Sequence, residues 1–332
     1  MRGIKIIGTG MYLPETVADN DWFSTILDTD DEWIYSRTGI RERRLSADKP
    51  NFFMASEAAK AAVENSGIDP SEIDLVLAAT CSPDFFYPAL SCLVQHEVKA
   101  VNAAAFDINS ACTGFINAID TASRFLEDSD YRNILVVASE RLAPHCDYTD
   151  RTASILFGDG AGAAVVTKSG KPMWSYLSAK GDYFNALYCK VDQSRSNCPL
   201  LKEDSVCAEF IDNEAKTHTL QMNGKAVYKF AVDAMETAVC KVLERSGLTI
   251  DDIDLFIPHQ ANARIIESAV KGLSLPQDKV YVNLEKHGNT SSACIPTAIA
   301  ELTSQGRIKD GMTICLVGFG AGLTSGAVIF NQ

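Results

Sequence analysis

The chain has 332 residues, 46% of them hydrophobic, and a formal net charge of −13. That length and apolar content supply a large buried core, in one domain or two fused halves. The charge argues against nucleic acid and anionic membrane as partners, because neutralising phosphates takes clustered Lys and Arg. An acidic partner remains open if a local basic patch exists, since such a patch acts over roughly 8–10 Å at physiological salt.

The opening run Met1–Gly8 is too short an apolar stretch for a signal peptide or a membrane span, and no run of about 18 apolar residues follows. The ten cysteines are scattered without CxxC pairs, and Cys81, Cys92, Cys112 and Cys146 lack metal-ligand spacing. They read as reduced thiols in a cytoplasmic protein without a structural metal.

In chain order, the periodicity predicts helices over 53–66, 113–127, 225–246, 261–273 and 292–305. Short apolar runs rich in β-branched residues predict strands over 73–77, 105–108, 133–137, 163–166, 253–257, 280–283, 312–317 and 327–330. Continuous apolar strands alternating with helices imply sheets covered on both faces. The chain also repeats itself. Ala58, Glu64, Ser66, Gly67, Ile73, Asp74 and Leu75 recur 180 residues later as Ala238, Glu244, Ser246, Gly247, Ile253, Asp254 and Leu255. A second echo sets Ser110-Ala111-Cys112 against Ser292-Ala293-Cys294 at an offset of 182, and a third sets 133–137 beside 312–317. Two homologous halves are expected, 1–172 and 173–332, building a layered α/β fold with two pseudo-equivalent sheets.

Cys112 sits where an apolar run ends and small residues open a helix. The positive end of the helix dipole favours a thiolate there, which suits a covalent nucleophile; the other reading is a small buried hydrophobe. His259 follows the strand 253–257, at a carboxyl end where α/β sheets place ligands, or else it is a satisfied polar residue in a turn. Asn289, in the turn-like run His287-Gly288-Asn289-Thr290-Ser291-Ser292 that opens the last large helix, reads by default as a helix cap. Gly318-Phe319-Gly320-Ala321-Gly322 can bring backbone N–H groups close to a ligand, or can be a tight turn like Gly158-Asp159-Gly160-Ala161-Gly162.

Together these motifs resemble β-ketoacyl-acyl carrier protein synthase III, of the thiolase superfamily. The resemblance rests on Ser110-Ala111-Cys112-Thr113-Gly114-Phe115, Pro258-His259-Gln260-Ala261-Asn262, His287-Gly288-Asn289-Thr290-Ser291 and the late glycine loop. It extends to Asp31-Glu32-Trp33-Ile34, to Arg37 through Arg43, and to Asp150-Arg151. It implies a duplicated thiolase-like fold layered α-β-α-β-α with two mixed sheets. It also implies a decarboxylative Claisen condensation of a short acyl-CoA with malonyl-ACP, initiating fatty acid biosynthesis without a cofactor. Cys112 would carry the acyl group, and His259 and Asn289 would stabilise the enolate. The N–H groups of Cys112 and Ala321, beside Phe319, would form the oxyanion site.

By the same resemblance, Trp33 and Arg151 would sandwich the CoA adenine, and Arg37 would meet its phosphates. Lys229, Arg264 and Lys271 would receive the acidic carrier protein, and Tyr87 would enter the acyl pocket of a homodimeric partner. Three features depart from the family pattern. Lys225, after Gly224, replaces an Asn that contacts the pantetheine arm. Tyr87 replaces a Phe. The segment 183–217 is longer than usual and charged. Cys294 and Cys315 read as core thiols. Two alternatives stand beside the housekeeping initiator: a secondary-metabolism condensing or acyl-transfer enzyme with another donor or acceptor, and a silent partner subunit, against which Cys112, His259 and Asn289 all speak.

Overall fold

A computed structural model describes residues 2–191 and 218–332. Two mixed sheets form the body. The first runs in the order Ile4–Tyr12, Gly160–Lys168, Asn133–Glu140, Leu75–Ala79, Ala104–Ile108. Its last three strands are mutually parallel, and the first two are antiparallel to their neighbours. The second repeats that order with Trp174–Ala179, Thr324–Asn331, Thr313–Gly320 and Leu255–Pro258. Every strand of the first sheet lies within residues 4–168, and every strand of the second within 174–331.

The strands are apolar at consecutive positions because both faces are covered. Leu75 and Leu77 face one way and Val76 and Ala78 the other. The first pair joins the central cluster, and the second joins Met54, Ala58, Ala62 and Val94 outside. Helices Gly114–Phe125 and Cys294–Ser304 fill the space between the sheets. There Phe115, Ile119, Ile295 and Ile299 meet Ile134, Ile257, Ile314 and Leu316 in one buried cluster. Helices Asn51–Ser66 and Leu90–Glu97 cover the first sheet outside, and Gly224–Ser246 and Ala263–Gly272 cover the second. The result is the layered α-β-α-β-α arrangement. The shared central cluster makes the two sheets one cooperative unit.

The repeat is structural. Helices Asn51–Ser66 and Gly224–Ser246 end at Gly67 and Gly247, with φ of 72° and 71°, a left-handed cap that glycine adopts without strain. Each is followed by a short 3₁₀ turn, Pro70–Glu72 or Ile250–Asp252, closed by a capping box, and then by a buried strand. The turns Ala111–Thr113 and Ser291–Ala293 open the two central helices. They stand 180 residues apart, so Cys112 is equivalent to Ser292. The echo at offset 182 is two residues out of structural register: the Ser-Ala-Cys likeness is local wording, and Cys294 corresponds to Gly114.

The strand expected over 280–283 does not form. Val280 makes a single bridge to Phe256, and Tyr281 hands its N–H to the Phe256 carbonyl at 2.9 Å. Its counterpart in the first half, Ala104–Ile108, is a full strand. Part of the 183–217 segment is ordered into the fold: Leu187–Cys189 pairs antiparallel with Leu220–Met222, and residues 192–217 lie outside the described residues. Among the described residues no helix is long and apolar enough to cross a membrane.

Candidate active site

The two sheets converge where their central helices begin. Cys112 occupies the 3₁₀ turn Ala111–Thr113, and Ala111 and its counterpart Ser291 hold φ of 44° and 51°. Left-handed backbone at a non-glycine residue is strained and persists only where surroundings enforce it. Here the enforcement is visible. Thr113 Oγ1 shares hydrogen bonds with Ser110 Oγ at 3.0 Å and Thr324 Oγ1 at 2.9 Å, and Asn117 Nδ2 donates to Ser110 Oγ at 2.6 Å. Thr324 Oγ1 in turn donates to the Ala321 carbonyl at 3.2 Å, so the Cys112 turn and the glycine loop are tied together.

Gly320 packs directly on that turn. A Cβ at Gly320 would lie 2.8 Å from the Cys112 nitrogen and 3.1 Å from its Cβ. Only glycine permits this approach, so the late run is more than a tight turn. A Cβ at Gly318 would lie 3.3 Å from His259 Cβ and 3.9 Å from the Cys112 carbonyl oxygen, so cysteine and histidine flank that strand end. The Phe319 ring meets the His259 ring edge to face, with centroids 5.4 Å apart.

His259 follows the parallel strand Leu255–Pro258, and its N–H donates to the Val317 carbonyl at 2.8 Å. It is 1% exposed, and burial pushes the imidazole down to about 3, so the ring is neutral. Asn289 pairs strand-fashion with Phe157: its N–H donates to Leu156 O at 2.8 Å and its carbonyl accepts from Gly158 N at 3.0 Å. Its Oδ1 accepts from Ser291 N at 2.9 Å. Asn289 is therefore not the cap, which is Thr290, but its Oδ1 braces the turn in front of the helix and leaves the amide NH2 as the end available to a ligand.

A cavity of about 220 Å³ opens at Cys112, lined also by Ser291, Ala321, Phe157 and Leu142, with Leu187, Tyr188, Cys189 and Leu220 from the two-stranded ladder. Residues 187–189 of the long segment and Leu220 just beyond it therefore build one wall of the site.

One expectation is overturned. The helix start was expected to favour the Cys112 thiolate. Burial instead pushes the thiol up to about 12, and the nearby Glu140 carboxylate adds to the rise against a lowering contact from the Ser291 hydroxyl. Desolvation outweighs the dipole of one short turn at 7% exposure. The resting thiol is protonated.

Glu140 escaped the sequence reading. Fully buried at the end of Asn133–Glu140, it accepts hydrogen bonds from Ser82 Oγ and Ser292 Oγ at 2.6 Å each, from Ser291 Oγ at 3.2 Å and from Cys81 N at 3.1 Å. It thereby pins the two halves together beneath the cysteine. The available signal was a charged residue closing an apolar strand. Arg43 is likewise fully buried. Its Nε donates to Ile155 O at 2.8 Å and its guanidinium lies 4.6 Å from the Phe23 ring centroid, beneath the segment that pairs with Asn289. Cys294 is buried as expected but is more than a core thiol: its Sγ lies 2.9 Å from His259 Nδ1. Cys315 is a core thiol.

The outer residues fall into separate places. Arg37 and Arg151 each lie 4.4 Å from the Trp33 ring centroid, and Arg151 also donates to the Asp28 carbonyl. Gly224 and Lys225 are exposed at the start of helix Gly224–Ser246, where Asn223 caps the Ala226 N–H at 3.2 Å. Lys229, Arg264 and Lys271 are exposed on two helices tied by Tyr228 Oη and Ser268 Oγ at 3.0 Å. Arg264 is partly committed, donating from Nε to Ser36 O at 3.0 Å. Tyr87 is 87% exposed and does not line the cavity at Cys112.

Two family models match the chain: "3-Oxoacyl-[acyl-carrier-protein (ACP)] synthase III" over residues 106–182 and its C-terminal counterpart over 243–332. A beta-ketoacyl-[acyl-carrier-protein] synthase III of Clostridium acetobutylicum is 45% identical over 100% of this chain and 99% of its own length. The chain belongs to the 3-oxoacyl-[acyl-carrier-protein] synthase III family. The synthase III of Aquifex aeolicus has the same fold, with a TM-score of 0.89 and 40% identity over 99% of this chain and 100% of that one. The priming beta-ketosynthase of the R1128 polyketide pathway matches with a TM-score of 0.88 and 36% identity over 100% of this chain and 97% of its own. Both solved structures share the layered two-sheet fold of this chain.

Proposed function

We propose that this protein condenses a short acyl-CoA with malonyl-ACP to give 3-oxoacyl-ACP, CO2 and CoA, the initiating step of fatty acid biosynthesis. The observation that carries the reading is the packing of the Cys112 turn against Gly320, with His259 across Gly318 from that turn and Asn289 paired to Phe157 in the cavity wall. Cys112 Sγ attacks the acyl thioester carbonyl. The N–H groups of Cys112 and Ala321 receive the developing oxyanion, and the thiol proton leaves on the CoA sulfur. Because the resting thiol is held neutral, deprotonation accompanies attack.

Malonyl-ACP then enters. Loss of CO2 leaves an enolate on the malonyl thioester oxygen, stabilised by hydrogen bonds from neutral His259 and the Asn289 amide as charge develops. The enolate carbon attacks the acyl-Cys112 carbonyl, and the released cysteine takes up a proton. The Trp33–Arg151 stack and Arg37 form the landing place for CoA, with Gly224 and Lys225 along the pantetheine path. Lys229, Arg264 and Lys271 form the carrier-protein face. A homodimer fits the edge strand Ala104–Ile108, whose outer side has no partner strand among the described residues, and the strong exposure of Phe86 and Tyr87. Residues 1–172 and 173–332 serve as the two halves, and the free thiols fit a cytoplasmic setting.

Incubation with acetyl-CoA and longer or branched acyl-CoAs, followed by mass spectrometry, tests this. An acyl adduct on the Cys112 peptide, discharged by malonyl-ACP to 3-oxoacyl-ACP, is the expected result. Absence of any adduct across the donor series overturns it.

A further inference from the structure

The contact between His259 Nδ1 and Cys294 Sγ, at 2.9 Å, is buried on both sides, the two residues being 1% and 2% exposed. The same sulfur accepts the Gln260 N–H at 3.4 Å, and the amides of Cys294 and Ile295, at the start of helix Cys294–Ser304, also bear on it. A thiol has one proton to give and accepts only weakly. With backbone donors already directed at the sulfur, its S–H is the group left for the ring nitrogen. An Nδ1–H aimed at this sulfur would add another donor to it and displace the thiol proton from its acceptor. A thiolate–imidazolium pair is opposed by burial, which lowers the imidazole to about 3 and raises the thiol.

We propose that Cys294 is a positioning residue whose S–H donates to His259 Nδ1 and fixes the ring as the Nε2–H tautomer. The far nitrogen then offers a proton, not a lone pair. The Phe319 ring, edge to face with the imidazole, holds the ring plane. This rests on the reading in which His259 donates to the malonyl thioester oxygen, since the other tautomer would set a lone pair against the forming enolate. The equivalence of Cys294 with Gly114 shows that the first half has no such device, in keeping with its lack of a histidine at Ala79, the counterpart of His259.

The test uses the full-length protein with 15N-labelled histidine, as wild type, Cys294→Ser and Cys294→Ala. Wild-type His259 is expected to show a protonated Nε2 and a bare Nδ1 across the neutral range. Cys294→Ala is expected to mix the tautomers and to slow malonyl-ACP decarboxylation about tenfold more than it slows Cys112 acylation. Cys294→Ser, which keeps a donor, restores both. A wild-type spectrum with the proton on Nδ1, or Ala and Ser variants equally impaired, overturns the proposal in favour of simple packing. If the tautomers behave as stated and His259→Ala still decarboxylates malonyl-ACP at the wild-type rate, the enolate reading fails and the tautomer assignment stands.

Discussion

Gly320 and Cys112 touch backbone to backbone: a Cβ on the glycine would sit 2.8 Å from the cysteine nitrogen. The amide expected to receive the oxyanion is thus held by a contact that tolerates no side chain. Gly320→Ala should displace the turn, lowering kcat/KM for acyl transfer about 100-fold, while overpacking costs about 1–3 kcal/mol. Stopped-flow acylation and urea unfolding report the two effects separately. Wild-type acylation in the variant would show that the contact is not needed for the reaction.

The Cys112 thiol, held near 12, titrates above its unfolded value of about 8.5. Iodoacetamide labelling of Cys112 should therefore be slow at neutral pH and keep rising through the alkaline range. A plateau near neutrality would indicate a stabilised thiolate. The same shift makes stability fall as pH rises from the unfolded value toward the folded one, because only the unfolded chain then sheds the proton. Cys112→Ser should flatten that alkaline decline.

His259 shifts the other way, to about 3. Its contribution to stability is complete above the unfolded value of about 6.5 and is lost as pH falls toward the folded one, since the unfolded chain binds the extra proton. His259→Asn should shrink the acid-induced loss by up to roughly 3 kcal/mol between neutrality and about pH 4. Matched urea titrations at several pH values measure it. Equal acid limbs in both proteins would mean that the ring is already charged when folded.

Glu140 gathers donors from both halves. Glu140→Ala should leave Ser82, Ser291 and Ser292 without their buried acceptor and cost about 3–5 kcal/mol. Glu140→Gln, which keeps an acceptor oxygen, should lose less. Urea midpoints order the three proteins, and an Ala variant as stable as wild type would remove Glu140 as the link between halves.

Arg151 stacks on Trp33 at 4.4 Å, so the sandwich expected for the CoA adenine requires the two side chains to part. Arg151→Ala should raise KM for acyl-CoA about tenfold with little change in kcat, the mark of an interaction made equally in ground and transition states. Trp33 emission should respond to CoA in the wild type. An unchanged KM would remove the stack from the CoA site.

Sequence alone determined most of the central elements and their repetition, but not the edge strands Ile4–Tyr12 and Trp174–Ala179 or the helices Asp31–Thr38 and Leu90–Glu97. The five expected helices all form, with ends within two residues, because 3.6-residue periodicity and glycine stops such as Gly67 and Gly247 are local signals. Cys112, His259 and Asn289 stood out as candidates for the same reason: each lies in a short motif at the end of a recognisable element. Strand 280–283 was misjudged because an apolar run does not reveal whether a neighbour offers more than one bridge. The charge state of Cys112 was beyond reach as well. The helix start is written in the chain, but the desolvation that overrides it comes from both sheets closing over the thiol. Glu140 and Cys294 became parts of the site only through partners up to 152 and 35 residues away. Local sequence dictates conformation over a few residues. Burial, and hence protonation and hydrogen-bond partnership, is decided by which distant residues the fold brings into contact.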